Sequence, residues 1–363
     1  MRRNSRFPVI RTRRIVQVAF FALVVVIGVQ FTLWALPQLG GRTTTVSRPP
    51  GVEGFLPISA LMSLRLALAG GGIHPVHPAA LAILVAALVA SAIVAKSFCS
   101  LLCPVGAVSE WLGRAGARLL GTTWAPPRWL DIPLRSLKYL LLAFFAWAGV
   151  IALAPDAIAA FLDSPYNRVA DVKMLVFFVS PGRTTVAALG VLVIGSLLIR
   201  DLWCRYLCPY GALLGLLGRF APLRVTRDSA TCIDCRKCTT ACPARLPVHT
   251  LGRVASVECT SCQDCVAACP VKDCLAIRPP RLISVRPLRP VVALAIAGAL
   301  WLAVVTAFRA SGHWHSSVTP AEYAERLRDL DSPLYTHVGG MAGARAPGET
   351  EGAAPIVRAH GRK

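Results

Sequence analysis

The chain has 363 residues, of which 55% are hydrophobic and only 16% charged. Soluble domains carry roughly 25% charged residues, so the composition excludes an ordinary soluble protein before any segment is read. The formal net charge of +21 does not imply nucleic acid, because Lys and Arg gather in the cytoplasmic loops of membrane proteins; no nucleic-acid partner is expected.

Apolar runs of about 18 residues or more can cross a bilayer as helices. Five are predicted, at about 15–36, 78–95, 134–154, 184–199 and 288–308. The run near the start is long for a cleaved signal peptide, and no A-x-A-like site follows it. Arg2, Arg3, Arg6, Arg11, Arg13 and Arg14 come before it, which places the N-terminus in the cytoplasm. Alternation then puts 38–76 and 155–183 outside, 96–133 and 200–287 inside, and the tail outside. The stretch Phe55 to Gly70 is apolar but carries Arg65, and reads as an interfacial or re-entrant segment. Thr319 and Pro320 open a short predicted helix over 320–331. Beyond Gly339 the composition is that of a disordered segment.

Two closely spaced four-cysteine runs, 232–243 and 259–270, each follow C-x2-C-x2-C-x3-C-P, the bacterial ferredoxin pattern for a pair of [4Fe–4S] clusters. The expected fold class is mainly α, a multi-pass transmembrane helical protein of about five spans with that two-[4Fe–4S] α+β domain inserted. The domains are 1–222, the transmembrane region; 223–287, the ferredoxin domain; 288–308, the fifth span; and 309–363, a polar, partly disordered tail.

One segment occurs twice. SFCSLLCPVGAVSEWLGR at 97–114 and LWCRYLCPYGALLGLLGR at 202–219 agree at nine of eighteen positions. Each follows a predicted span, and one further span separates them, so both copies fall on the same face of the membrane.

All thirteen cysteines lie between Cys99 and Cys274, a clustering that reads as metal ligation rather than a disulfide framework. CIDCRKCTTACP at 232–243 and CTSCQDCVAACP at 259–270 are two copies of the bacterial ferredoxin run C-x2-C-x2-C-x3-C-P. In two-cluster ferredoxins the fourth Cys of each run serves the other cluster. Cluster one is therefore assigned Cys232, Cys235, Cys238 and Cys269, and cluster two Cys259, Cys262, Cys265 and Cys242. Zinc is the competing metal, but its sites pair C-x2-C knuckles and do not ask for two complete four-Cys runs. Arg236, Lys237 and Lys272 beside the loops either raise the cluster potentials or are ordinary cytoplasmic charges.

The repeated C-x3-C-P supplies Cys99, Cys103, Cys204 and Cys208. Spacing i, i+4 puts each pair on one helix face. The four suit a third metal or redox centre, redox-active disulfides, a structural zinc, or plain packing. Cys274 is unpaired and reads as packing. His74 and His77 in the outer loop are candidates for a quinone site, against the plainer reading of interfacial polar residues. His313 and His315 form H-x-H, a hint of metal.

WCRYLCPYG at 203–211, SFCSLLCPVG at 97–106 and the two ferredoxin runs resemble those of the NapH-type polyferredoxins. That group is similar to the membrane part of the nitrous-oxide reductase accessory protein and to the cytochrome oxidase assembly ferredoxins. The resemblance covers about 15–290, and RPPGVEGFLPISALMSLR at 48–65 also looks familial. It implies a protein of the bacterial inner membrane that takes electrons from menaquinol or ubiquinol and helps deliver them to a periplasmic reductase. Only 14 residues precede the first span here, where the nitrous-oxide proteins carry a large outer domain, and the oxidase assembly proteins end in a globular domain that the 55-residue tail does not match. A stand-alone NapH-like carrier is therefore expected.

Three functions follow. The first is an electron conduit between the quinone pool and a partner redox enzyme. The second is a maturation factor that reduces a metal ion or a thiol on a partner. The third is a redox sensor or scaffold.

Overall fold

The computed structural model describes residues 7–121, 123–279 and 288–336. The expected disorder beyond Gly339 lies outside the described residues. In chain order the helices are α1 (Phe7–Leu39), α2 (Pro57–Leu66), α3 (Pro78–Ile93), α4 (Ser97–Leu101), α5 (Pro104–Leu119), α6 (Arg128–Ala146), α7 (Pro155–Leu162), α8 (Pro165–Arg168), α9 (Ala170–Val179) and α10 (Arg183–Leu198). Then follow α11 (Pro209–Gly218), α12 (Lys237–Thr240), α13 (Asp264–Ala268), α14 (Pro290–Ala310) and α15 (Pro320–Arg328), with strands β1 (Arg224–Arg227) and β2 (Leu275–Arg278).

Three helical stretches are long and apolar enough to cross a membrane: Ile10–Leu39, Arg128–Ile151 and Pro290–Ala310. A fourth span forms if α9 and α10, bent by 77° at their junction, are taken together. These stretches leave large apolar side chains uncovered, among them Val26, Leu140, Ile194 and Leu302. Lipid is the solvent that suits such a surface, and the chain is a membrane protein.

Two of the five predicted spans take a different form. The run 184–199 is the second arm of the bent pair. The run 78–95 is α3, a helix of 16 residues, short for a crossing. Its Ala79, Ala82, Ala86, Ala87 and Ala90 are fully buried. A helix that is apolar all round belongs inside a bundle, and small side chains let neighbouring backbones come close. Hydropathy alone does not separate this case from a lipid-facing span.

The chain forms two compact units. The first takes in Met1–Val24, Val85–Phe145 and Ala188–Ala307, and so holds every cysteine. β1 pairs antiparallel with β2, with Arg224 opposite Arg278 and Arg227 opposite Leu275. Trp301 stacks on Phe98, ring centroids 5.2 Å apart, and meets Phe20 edge-on. Gly116 lets α5 press against the backbone of α10 at Leu197, where a Cβ would overlap the carbonyl.

The second unit takes in Val25–Leu84, Ala146–Ala187 and Phe308–Lys363. Its core gathers Phe31, Trp34, Val52, Val76, Val169 and Val172 around Tyr323, Leu327 and Tyr335. The first part of the tail is thus folded: α15 begins at Thr319, whose side chain accepts the Glu322 N–H, and its apolar face is core. The familial stretch at 48–65 has a structural role here. Arg48 bonds Glu53 at 2.9 Å and Asp171 at 2.8 Å. Glu53, fully buried, accepts the free N–H groups of Ala79 and Ala80 at the start of α3. A carboxylate at a helix N-terminus is favourable. Within the apolar stretch 55–70, α2 is only ten residues, and Arg65 donates to the Val150 carbonyl at 2.6 Å.

Candidate iron–sulfur centres

The Cys-Pro pairs of the repeat are helix starts. Cys103 is the N-cap of α5 and its sulfur accepts the Gly106 N–H at 3.4 Å; Cys208 is the N-cap of α11 and accepts the Gly211 N–H at 3.2 Å. Proline follows at the first helical position, where a missing N–H costs nothing. Proline also drives the residue before it out of the helical region, and Cys103 and Cys208 are extended, with ψ of 120° and 104°. The C-x3-C pairs therefore do not lie on one helix face, as i, i+4 spacing suggests. Cys99 sits in α4, and Cys204 in a π-helical turn at Trp203–Leu207. All four sulfur-bearing residues nonetheless line one cavity, with Lys96, Tyr210 and Cys262. Burial pushes the Cys99 thiol up to about 12 and the Cys103 thiol to about 11.

The ferredoxin cysteines fall into two further, smaller cavities. One is lined by Cys232, Cys235, Cys238 and Cys269, the other by Cys242, Cys259, Cys262 and Cys265. The structure thus brings the fourth cysteine of each run beside the first three of the other. Both loops turn alike: Asp234, Arg236, Ser261 and Gln263 all have positive φ, between 49° and 64°. Such backbone in non-glycine residues costs roughly 1–3 kcal/mol apiece and clusters at functional sites. Among the described residues no three His, Cys, Asp or Glu side chains converge closely enough to hold a single metal ion. A cubane differs from a single ion in spreading its four thiolates over separate iron atoms.

Comparison with known proteins agrees with this chemistry. Residues 76–123 and 184–227 match a family described as a 4Fe-4S binding domain, and 224–271 match a 4Fe-4S dicluster domain. The first match holds the two C-x3-C-P copies. YccM of Escherichia coli, named for electron transport, is 47% identical over 247 residues, covering 68% of this chain and 69% of its own. The chain belongs to the ferredoxin-type membrane electron-transport family. Another relative is NirI of Paracoccus denitrificans, 31% identical over 43% of this chain and 22% of its own length. MauN of the same organism, a methylamine utilization ferredoxin-type protein, is 31% identical over 41% and 48%. The chain spans less than half the length of these two. No solved structure matches it. As a member of this family the protein binds iron–sulfur clusters and transfers electrons.

Buried ion pairs tie this membrane ferredoxin's helices to its cysteine loops. Lys138 of α6, fully buried, donates to both oxygens of Glu258 at 2.7 Å, directly before Cys259. Arg205, between Cys204 and Cys208, clasps Asp131 at 2.9 and 3.0 Å and reaches the Ala244 carbonyl at 3.0 Å, two residues after Cys242. Arg227 lies beside Cys232 and holds its thiol below the ordinary value. The spacing of the motifs gave no sign of Lys138 or Asp131; a charge inside an apolar span is the signal that finds them. Cys274, read as packing, is buried and also lines the cavity of Cys232, Cys235, Cys238 and Cys269.

The histidine candidates are engaged elsewhere. His77 is buried, with Nε2 at 2.7 Å from the Asn167 carbonyl and Nδ1 at 3.4 Å from Glu53. Burial alone would lower its pKa, but Glu53 overrides this and raises it. His74, beside Asp163 at 3.4 Å, is lowered by burial. His313 contacts Ser311, and His315 lines a cavity with Trp34, Arg48 and Tyr323 in the second unit.

Proposed function

We propose that this membrane ferredoxin carries electrons through three [4Fe–4S] centres in series, between the quinone pool and a partner redox enzyme. Cluster one takes Cys232, Cys235, Cys238 and Cys269; cluster two takes Cys242, Cys259, Cys262 and Cys265; the third takes Cys99, Cys103, Cys204 and Cys208. The observation that carries the reading is a common wall. Pro243, Ala244, Thr260 and Cys262 line both the four-cysteine cavity and the cavity of cluster two. Bound clusters would supply the one-electron chemistry, and the chain's residues fix their spacing, exclude water and balance their charge.

In this proposal α3 crosses inside the bundle as a fifth span, so the protein sits in the bacterial inner membrane with its ferredoxin domain cytoplasmic and its tail outside, in keeping with the arginines before α1. The quinone pool as the membrane-side electron source or sink follows from the NapH-type resemblance. A dedicated partner enzyme is in keeping with MauN, whose name ties a related ferredoxin to methylamine utilization.

The test is metal, sulfide and EPR analysis of protein purified anaerobically in detergent. Three cubanes require about twelve irons per chain. Cys99→Ser or Cys204→Ser should lower this to about eight while leaving the spin-coupled ferredoxin signals. About eight irons in the wild type removes the third centre, and zinc without iron or sulfide removes the electron-transfer reading. Activity lost in Cys99→Ser at unchanged iron content would instead favour a thiol-based maturation role.

A further inference from the structure

The four-cysteine cavity holds a charge that the reading above does not use. Lys96 immediately precedes the first C-x3-C-P copy, is 4% exposed and lines the cavity. Ala95, at φ 46°, turns the chain into it. Its side chain crosses to the second copy: a Cβ placed on Gly211 would stand 3.3 Å from Lys96 Nζ. The same position of the second copy is Asp201, so the repeat breaks its symmetry here.

Every other charged residue lining the cavity has a partner of its own. Arg13 holds Glu110 at 2.7 Å, Arg205 holds Asp131 at 2.9 Å, and Asp201 lies 3.8 Å from Arg200. Glu258 is near Lys96 but has both oxygens on Lys138. Among the described residues no carboxylate forms an ion pair with Lys96. A buried ammonium without a counter-charge is costly. Neutral thiols do not compensate it, whereas the thiolates of a metal centre, which lose their protons on binding, do.

We propose that Lys96 is the counter-cation of the centre held by Cys99, Cys103, Cys204 and Cys208, and that it sets that centre's reduction potential. The inference rests on the three-centre reading. One-electron reduction adds a negative charge to an already anionic centre. A fixed positive charge beside it favours the reduced form, so it raises the potential. Lys96 is a positioning and tuning residue, not a ligand.

The experiment is an EPR-monitored redox titration of the full-length protein in detergent, with iron and sulfide counted, for wild type, Lys96→Met and Lys96→Arg. At the wild-type midpoint, Lys96→Met should lower the ratio of reduced to oxidised third centre by about tenfold or more, which is ~59 mV for one electron. Lys96→Arg should restore it, and the ferredoxin signals should titrate as before. Loss of this centre's iron in Lys96→Met but not in Lys96→Arg also supports the proposal, since the charge is then needed for assembly. Loss in both variants overturns it, because shape and not charge is then required. An unchanged midpoint in Lys96→Met with about twelve irons overturns this proposal alone. About eight irons in the wild type overturns the three-centre reading and this proposal with it.

Discussion

Arg13 grips Glu110 with both ends of its guanidinium, Nη1 to Oε2 at 2.9 Å and Nη2 to Oε1 at 2.7 Å. The pair joins α1 to α5, just beyond the first C-x3-C-P copy. Arg13 is 1% exposed and also reaches Asp264 at 3.5 Å, between Cys262 and Cys265. Gln17 adds a bond to Glu110 at 2.9 Å. One arginine thus fixes a membrane helix, the repeat and a ferredoxin loop together.

Breaking this pair from one side should be costly. Arg13→Ala removes the bidentate partner of Glu110 and leaves it only Arg114 and Gln17, a loss of about 1.5–3 kcal/mol, read as a lower Tm in detergent. Burial would raise the Glu110 carboxyl, but Arg13 and Gln17 override it and hold it at about 2. The folded pKa is below the unfolded one, so the contribution is complete above about pH 4.5, the ordinary value, and is lost as pH falls toward 2. Glu110→Gln should flatten the part of the stability profile between those limits. A profile that falls as steeply in Glu110→Gln as in wild type contradicts the assignment.

The two glycines of the repeat should respond differently to a methyl group. A Cβ on Gly106 overlaps the carbonyl oxygen of Cys99, which is backbone and cannot yield. A Cβ on Gly211 meets the end of the Lys96 side chain at 3.3 Å, which can move. Gly106→Ala should cost about 1–3 kcal/mol and deplete iron from the four-cysteine cavity. Gly211→Ala should keep iron near the wild-type content. Equal losses from both would show that the backbone approach at Cys99 is not what matters.

Cys274 offers a fifth thiol to the first ferredoxin cavity. It is 2% exposed, lines that cavity, and lies within hydrogen-bonding reach of Cys232 and Cys269. Cys232→Ser should therefore retain both ferredoxin clusters, with Cys274 taking the vacant iron. The double variant Cys232→Ser, Cys274→Ser should lose about four irons per chain. Loss of the cluster in Cys232→Ser alone would mean that Cys274 cannot turn to the metal.

What could be read from the chain was local. The ferredoxin runs place their cysteines within twelve-residue loops, so spacing carries which cysteines belong together, though not the matching left-handed turns at Asp234 and Ser261. The repeat at 97–114 and 202–219 was visible for the same reason. The common wall at Cys262 was not, because it joins a membrane-boundary motif to a distant loop. Arg48, Glu53 and Asp171 escaped notice since their partnership spans more than a hundred residues. The apolar pattern of 78–95 reported burial correctly but not what does the burying, which turned out to be protein. Residues 318–335 read as a polar tail because only one face of α15 is apolar, and its partners Phe31 and Trp34 belong to another helix.

The division of the four-cysteine cavity between two sequence copies has a consequence for biogenesis. Each copy brings two thiols, half of what a cubane needs. The first copy leaves the ribosome well before the second, with α6 and the α9–α10 pair still to be made. A nascent chain holding only Cys99 and Cys103 has nothing with which to complete a site. Any four-thiolate centre there is inserted after the membrane helices have come together, and its presence certifies that they have.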